Sequence, residues 1–283
     1  MGSTEGGVSS VERALRLLEI LSKGPVGATD LARALGTGKA TAFRLAKTLQ
    51  ASNYVVQLED TRYRLGPRCL VLAAAAVDEM DLLGELRWAE AELFERTGET
   101  VLLAVRSGLD AVCIDSIPSK HAVVSVTSVG EIWPLHACSA GLAFLADDDA
   151  LLEAYLRTPM SQHTSATIVD PELLRKRVQE TQHTGYALNR EYFRDGVCAV
   201  GSVVRDARGQ ARAALAVMLP EFRLEDVGEE SLGRLTADVA NRASERLGWH
   251  PYGVNLDSKR MALDKLSQIP DKSLTTGVVR LGG

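Results

Sequence analysis

What this sequence has little of narrows its function first. No apolar run in its 283 residues reaches membrane-spanning length. The opening MGSTEGG has neither a basic stretch nor an apolar core, so no secretion signal is read there, and a cytoplasmic protein without a membrane partner is expected. Cysteine is sparse and scattered. Cys69, Cys113, Cys138 and Cys198 form no Cys-x-x-Cys and stand at no finger spacing from a histidine, so they read as free, mostly buried thiols. Also missing are a Gly-x-Ser-x-Gly elbow, a P-loop, a Gly-x-Gly-x-x-Gly after a strand and a His-Glu-x-x-His. No cofactor, metal or catalytic residue is expected. Glycine and proline follow no period, and the sequence holds no internal repeat of solenoid length.

What is present is ordinary in amount and uneven in distribution. Hydrophobic content of 46% and charged content of 24% suit a folded globular protein, and the length suffices for two domains. Net charge is −5, which argues against indiscriminate nucleic-acid binding. Yet residues 1–80 hold ten Lys and Arg against eight Asp and Glu, and the stretch 28–68 holds seven against three. Basic character is concentrated there.

Within that stretch, "LARALGTGKATAFRLAKTL" holds two short amphipathic runs joined by Gly36, Thr37 and Gly38, a helix-turn-helix corner. At about 100° per residue, Ala42, Leu45 and Leu49 form the inner stripe of the second run, and Ala40, Phe43, Arg44, Lys47 and Thr48 face the other way. Arg44 and Lys47 are the expected base-edge or phosphate contacts, with Lys39 and Arg62 on phosphate. Thr29 and Thr41 can donate hydroxyl hydrogen bonds to the DNA backbone. Phe43 either meets a thymine methyl or packs on the wing.

Along the chain, Ser9 and Ser10 can cap a first helix to Ser22, and Thr29 starts the second. "YVVQLEDTRYRLG" reads as a hairpin with Tyr54, Val56 and Leu58 on one face, a turn at 59–62, and a return through Tyr63 and Leu65. Three helices and a hairpin make a winged helix-turn-helix. "CLVLAAAAVDEM" predicts a linker helix, apolar nearly all round, that wants partners on several sides. Beyond a helix at 82–97, strands are expected in "TVLLAVRSG", "DAVCIDSI", "AVVSVTSVG", "VCAVGSVVRD" and "ARAALAVML". Helices are expected at 136–145, 150–157, 171–183 and 229–247. The fold class is therefore α+β, with an antiparallel sheet, flanking helices and room for a small ligand.

The segments "SSVERALRLLEIL", "LARALGTGKATAFRLAKTL", "YRLGPR", "PLHACSAGLAFLA", "GYALNREYFRDGV" and "RDARGQARAALAV", in this order and spacing over residues 9–247, resemble the IclR family of bacterial transcription regulators. The resemblance implies an N-terminal winged helix-turn-helix, a linker helix and a C-terminal GAF-like effector-binding domain. It implies a homodimer or dimer of dimers on a palindromic double-stranded DNA operator near a metabolic operon, and a small-molecule effector. Divided accordingly, residues 1–8 are a disordered start, 9–68 the DNA-binding domain, 69–81 the linker helix, 82–250 the effector domain and 251–283 an extension beyond the resemblance. A helix at 258–266 of that extension could cap a neighbour.

By position, the DNA-reading helix falls on residues 39–49 and the wing on 59–63. The effector pocket falls under the loop 130–136, with Gly130, Ile132, Trp133, Leu135 and His136, and against two strands carrying Ala199, Gly201, Ala216 and Met218, near Tyr192. A helix starting near Leu135 would offer unpaired N–H groups to an anionic head. Ala199, Val203, Ala216, Met218 and Tyr192 stand where many relatives carry Cys, Pro, polar or acidic residues. A roomier, more apolar pocket follows, and with Trp133 above it an aromatic or largely hydrophobic carboxylate. The function expected is a ligand-responsive repressor of a catabolic operon. Two alternatives differ in class: a dimeric scaffold that does not bind DNA, and a small-molecule hydrolase using Cys138 or Ser139. Against the second, residues two apart on a helix point roughly 200° from each other, so His136 is badly placed to serve Cys138.

Overall fold

A computed structural model describes residues 8–78, 82–122 and 127–250. It divides into two compact units, residues 1–83 and 84–283.

In the first unit, α1 (Ser9–Ser22), α2 (Ala28–Ala34) and α3 (Lys39–Ala51) precede a two-stranded antiparallel ribbon, β1 (Val55–Gln57) and β2 (Tyr63–Leu65), and then α4 (Arg68–Asp78). Leu17, Leu21, Leu31, Ala42, Ala46, Val55 and Tyr63 form one core, each at most 3% exposed. The ribbon's phase differs from the alternation expected from Tyr54, Val56 and Leu58. Val55 and Tyr63 point inward instead, because Tyr63 is held from behind by Val26, with a hydrogen bond of 2.9 Å in each direction. That isolated bridge locks Tyr63 over the helices, and a strand shifted by one residue changes every face. Nor do Ser9 and Ser10 cap α1. Val8 occupies the cap position with no side-chain bond, so the serines fall inside the first turn.

The second unit is a six-stranded antiparallel sheet in the order β5-β4-β3-β8-β7-β6. Its elements are α5 (Leu82–Thr97), β3 (Thr100–Ser107), β4 (Asp110–Ile117), β5 (Ile132–Pro134), a 3-10 turn (Leu135–Ala137), α6 (Ser139–Asp147) and α7 (Asp149–Tyr155). They continue through α8 (Pro171–Thr184), β6 (Ala187–Arg190), β7 (Val197–Arg205), β8 (Ala211–Pro220), α9 (Glu221–Val227) and α10 (Glu229–Arg246). Strands β7 and β8 are buried along almost their whole length, since α6 covers one face of the sheet and α10 the other. Of the strand expected in "AVVSVTSVG", residues 123–126 lie outside the described residues, and residues 127–130 are not extended. The chain there turns back through Gly130, whose N–H donates to the Cys113 carbonyl at 2.7 Å, and regains the sheet only at β5. Sequence periodicity also passed over β6 and α9, at four and seven residues too short to show it. The extension 251–283, with the helix expected at 258–266, lies outside the described residues.

Candidate functional site

The first constellation is the α2–α3 corner. At the end of α2 the N–H of Thr37 donates to the Ala32 carbonyl at 3.0 Å and that of Gly36 to Arg33 at 3.1 Å, with Gly36 at φ 60°. This is a Schellman cap, and the left-handed residue it requires costs least when it is glycine. The chain turns tightly enough for Gly38 to precede α3 directly. Because Ala42 and Ala46 are the fully buried residues of α3, the helix sits close on the core and its other side stands clear. Lys39, Ala40, Phe43, Arg44, Lys47 and Thr48 are exposed, as is Thr29 at the start of α2, while Thr41 is half-buried.

Arg44 and Lys39 form no ion pair among the described residues, so their charges face outward. Lys47 reaches Gln50 at 3.1 Å and Gln57 of the ribbon at 3.4 Å, and its ammonium lies 5.6 Å from the centre of the Phe43 ring. Phe43 is 46% exposed. On the ribbon turn, Arg62 is engaged by Asp60 at 2.7 Å, which holds the Asp60 carboxyl below its ordinary range. Arg64, one strand position from the turn and also exposed, was not singled out from the sequence. Its place in the wing was the signal.

The second constellation is a cavity of about 480 Å³, mouth included, in the second unit. Leu102 of β3, Met218 of β8, and Val197 and Ala199 of β7 form its floor. Trp133 of β5 and Phe193 of the β6–β7 loop form walls, and Cys138, Ser139 and Ala140 at the start of α6 close one end. Two glycines allow that start to sit so low. A Cβ on Gly201 would stand 3.0 Å from the Ser139 carbonyl carbon and 3.2 Å from the Ala140 nitrogen, and one on Gly141 would fall 2.3 Å from the Leu135 carbonyl oxygen.

The helix begins later than expected. Residues 135–137 form the 3-10 turn and Cys138 is extended, its thiol accepting a hydrogen bond from the Gly141 N–H at 3.2 Å. Burial pushes that thiol up to about 12, so it is neutral and unreactive.

Of the expected effector residues, the structure brings Trp133, Ala199 and Met218 together in the cavity. Gly201 lies beneath the helix start. Gly130 is the turn before β5, Ile132 is 56% exposed, and Leu135 and Ala216 are buried in the core around the cavity. His136 turns away. Its Nε2–H donates to the Ser161 carbonyl at 3.0 Å, so Nδ1 accepts from the Tyr155 hydroxyl at 2.7 Å, and burial keeps the ring below its usual pKa. Tyr192 also lies outside, buried, with its N–H donating to Asn189 Oδ1 at 2.8 Å and its carbonyl accepting from Thr167 at 2.7 Å. Sequence reasoning did not reach Phe193, nor Thr127, Glu131, Asn189 and Arg194, which supply most of the cavity's polar lining.

A helix-turn-helix with an exposed cationic face, followed by an antiparallel sheet enclosing a cavity, defines a transcription regulator of two units. The family follows from comparison with known proteins. A model of the IclR helix-turn-helix domain matches residues 10–59, and one of the bacterial transcriptional regulator IclR C-terminal domain matches residues 74–245. The chain belongs to the IclR family. It is 31% identical over 247 residues to the HTH-type transcriptional repressor AllR of Escherichia coli K12, covering 86% of this chain and 91% of that protein. A solved putative IclR regulator from Silicibacter sp. TM1040 is 29% identical with a TM-score of 0.73, over 85% of this chain and 97% of that one. An IclR homologue from Microbacterium hydrocarbonoxydans, complexed with 4-hydroxybenzoate, shares the fold at a TM-score of 0.72 and 23% identity, over 84% and 98% of the two chains.

Proposed function

We propose that the protein is a repressor that binds a palindromic operator near a catabolic operon and releases or tightens on it when a small, largely hydrophobic carboxylate enters the cavity. The observation that carries the DNA half is α3, a helix whose buried side is two alanines and whose outward side offers Arg44 and Lys39 without competing carboxylates. Arg44 and Lys47 serve as base-edge or phosphate contacts, Lys39, Thr29 and Thr41 hold the backbone, and Arg62 must exchange Asp60 for a phosphate. In the cavity, Ser139 and Ala140 at the start of α6 stand beside the apolar Leu102, Trp133, Ala199 and Met218, and a helix start against apolar walls suits one carboxylate with an aromatic body.

Residues 9–68 act as the DNA-binding part, 69–81 as the link and 82–250 as the sensor. Two copies associate, covering the exposed Leu70, Val71 and Leu72 of α4. The protein acts by binding and not by catalysis: both His136 nitrogens are engaged and the Cys138 thiol is neutral, so neither Cys138 nor Ser139 has a base from that histidine.

Fluorescence anisotropy on the protein's own upstream intergenic DNA, across a salt series and with a panel of aromatic acids, tests both halves. Sequence-preferring binding that weakens with salt and shifts with one acid is expected. Binding that ignores every acid removes the sensor reading, and absence of sequence preference removes the regulator reading.

A further inference from the structure

Where α6 ends, the second unit carries a groove of about 720 Å³, open side included. Arg106 of β3, Asp147 of α6, Asp148 and Leu151 at the start of α7, and Gly209 and Ala211 where β7 turns into β8 line it. It shares no lining residue with the cavity at the other end of α6. Asp147 is answered by Arg205, whose Nε donates to its Oδ1 at 2.6 Å. Asp148 and Arg106 are exposed and form no ion pair among the described residues. Asp148 Oδ1 caps α7 by accepting the Leu151 N–H at 2.9 Å, and Arg106 donates to the Gly108 carbonyl at 3.2 Å.

The last helix delivers the chain to this groove. Gly248, at φ 88°, ends α10, and the Trp249 N–H turns back to the Ser244 carbonyl at 2.9 Å. A Cβ on Gly209 would stand 3.9 Å from the Trp249 ring. The Arg205 guanidinium lies 5.2 Å from the centre of the same ring. Trp249 therefore packs beside one lining residue, Gly209, and reaches a second, Asp147, through Arg205. The described residues end at the next position, the exposed His250.

The match to the IclR C-terminal domain stops at residue 245, so residues 251–283 are an addition to it. They also differ in charge. Residues 81–250 hold 26 Asp and Glu against 17 Lys and Arg, whereas residues 251–283 hold three against five. Lys259, Ala262, Leu263 and Leu266 recur at helical spacing, a stripe with one cation and an apolar remainder, and Asp257 precedes it. The groove asks for one group of each sign beside half-buried Leu151 and Ala211. We propose that residues 257–266 of this chain fold back into the groove, with Lys259 on Asp148, Asp257 on Arg106, and Leu263 and Leu266 on Leu151 and Ala211. Reach does not limit the contact: nine residues beyond His250 span up to about 30 Å when extended, and the chain leaves beside the groove. The extension is then a strap across the end of α6, the helix whose start closes the cavity.

Hydrogen exchange of the full-length protein, read by mass spectrometry over residues 258–266 and the turn 206–210, tests it. In the unsubstituted protein 258–266 should exchange well below the free-peptide rate. Arg106→Glu and Asp257→Lys should each speed that exchange about threefold, the scale of one exposed ion pair, and the two together should restore it. Asp148→Asn, whose amide still caps α7, should act like either single change. Leu263→Asp should release 258–266 to the free-peptide rate and speed exchange in the turn 206–210 as well. Free-peptide exchange of 258–266 in the unsubstituted protein overturns the docking altogether. Slow exchange that the Arg106 and Asp148 substitutions leave unchanged, or that is lost on dilution, overturns this groove as the seat, in favour of another surface or of a second copy of the chain.

Discussion

The two units carry their chemistry in opposite ways. In the first, the side chains proposed to meet DNA stand in water on a single helix: Lys39, Phe43, Arg44 and Lys47 span nine residues of sequence and need only the Gly36 cap to aim them. The second hides its chemistry, gathering the cavity from β3, the loop before β5, the start of α6, the β6–β7 loop, β7 and β8. Exposed charges are cheap to keep and weakly coupled to stability, whereas buried ones are neither. Substitutions in the first unit should therefore change binding more than folding, and those in the second should change folding as well. All three tryptophans, Trp88, Trp133 and Trp249, lie in the second unit, so tryptophan fluorescence reports its unfolding alone.

The sharpest break of the comparison is Glu90. On α5 it is 1% exposed, and among the described residues neither carboxylate oxygen finds a hydrogen-bond partner. Burial, then the nearby Asp115 charge, raise its pKa from 4.5 to about 8, with Arg87 opposing. A carboxyl whose folded pKa is raised contributes stability that is fully present below 4.5 and lost as pH climbs toward 8, where the unfolded chain has already ionised. Glu90→Gln removes that loss. Urea unfolding followed by tryptophan fluorescence should show the variant gaining, relative to the unsubstituted protein, on the order of 4 kcal/mol between pH 5 and pH 8. A stability difference that does not vary with pH would show the carboxyl is not buried in the folded unit.

Next in size are the glycines under α6. Gly141→Ala drives a Cβ onto the backbone of Leu135, which cannot swing aside, and should destabilise the second unit by about 3 kcal/mol. Gly201→Ala meets Ser139 and Ala140 at 3.0–3.2 Å, a gap that a few tenths of an ångström relieve, so about 1 kcal/mol is expected. The ranking is what matters: a larger loss at Gly201 would mean the α6 start is held more rigidly than the turn before it.

The same contrast decides how much could be read from the sequence. Where a function sits on one helix, periodicity carries it, and the corner, the cationic face and both long hairpin strands of the sheet, 100–107 and 110–117, were legible. Where a register depends on a distant partner, it was not: nothing near Val55 announces that Val26 will pin Tyr63. The cavity was legible as to its floor, Ala199 and Met218, because apolar strands are conspicuous. Its polar groups were not, because Glu131 and Arg194 are 63 residues apart in loops, and only the fold brings them within 2.7 Å. His136 attracted notice as a histidine beside a cysteine and a serine. In the structure its ring is held by Tyr155 and Ser161, in the 3-10 turn before Cys138 caps α6.

On the first unit, Arg44→Ala should weaken operator binding by about 1–3 kcal/mol, read by anisotropy at fixed salt, and relax the preference at one base position. Affinity for the effector, titrated in the absence of DNA, should not move. A loss spread evenly over all sequences, with a lower salt slope, would reassign Arg44 to phosphate contact.

The smallest expected effect is also the one that separates the two readings of Phe43. If its ring packed on the wing, Phe43→Ala would cost the first unit about 3 kcal/mol or more, as a truncated core aromatic does. The ring is 46% exposed and stands apart from the core of Leu17, Leu31 and Tyr63, with the Lys47 ammonium over its face. Hydrogen exchange at the α3 amides, which reports this tryptophan-free unit directly, should therefore change by no more than about 0.5 kcal/mol in opening free energy. Operator affinity should fall more than that, since the ring loses a surface that DNA covers. Replacing thymine by uracil at each operator position in turn would then locate the methyl group: at one position the uracil penalty should vanish in Phe43→Ala. If the penalty survives at every position while the amides open more easily, the ring belongs to the fold of the wing and not to the reading of bases.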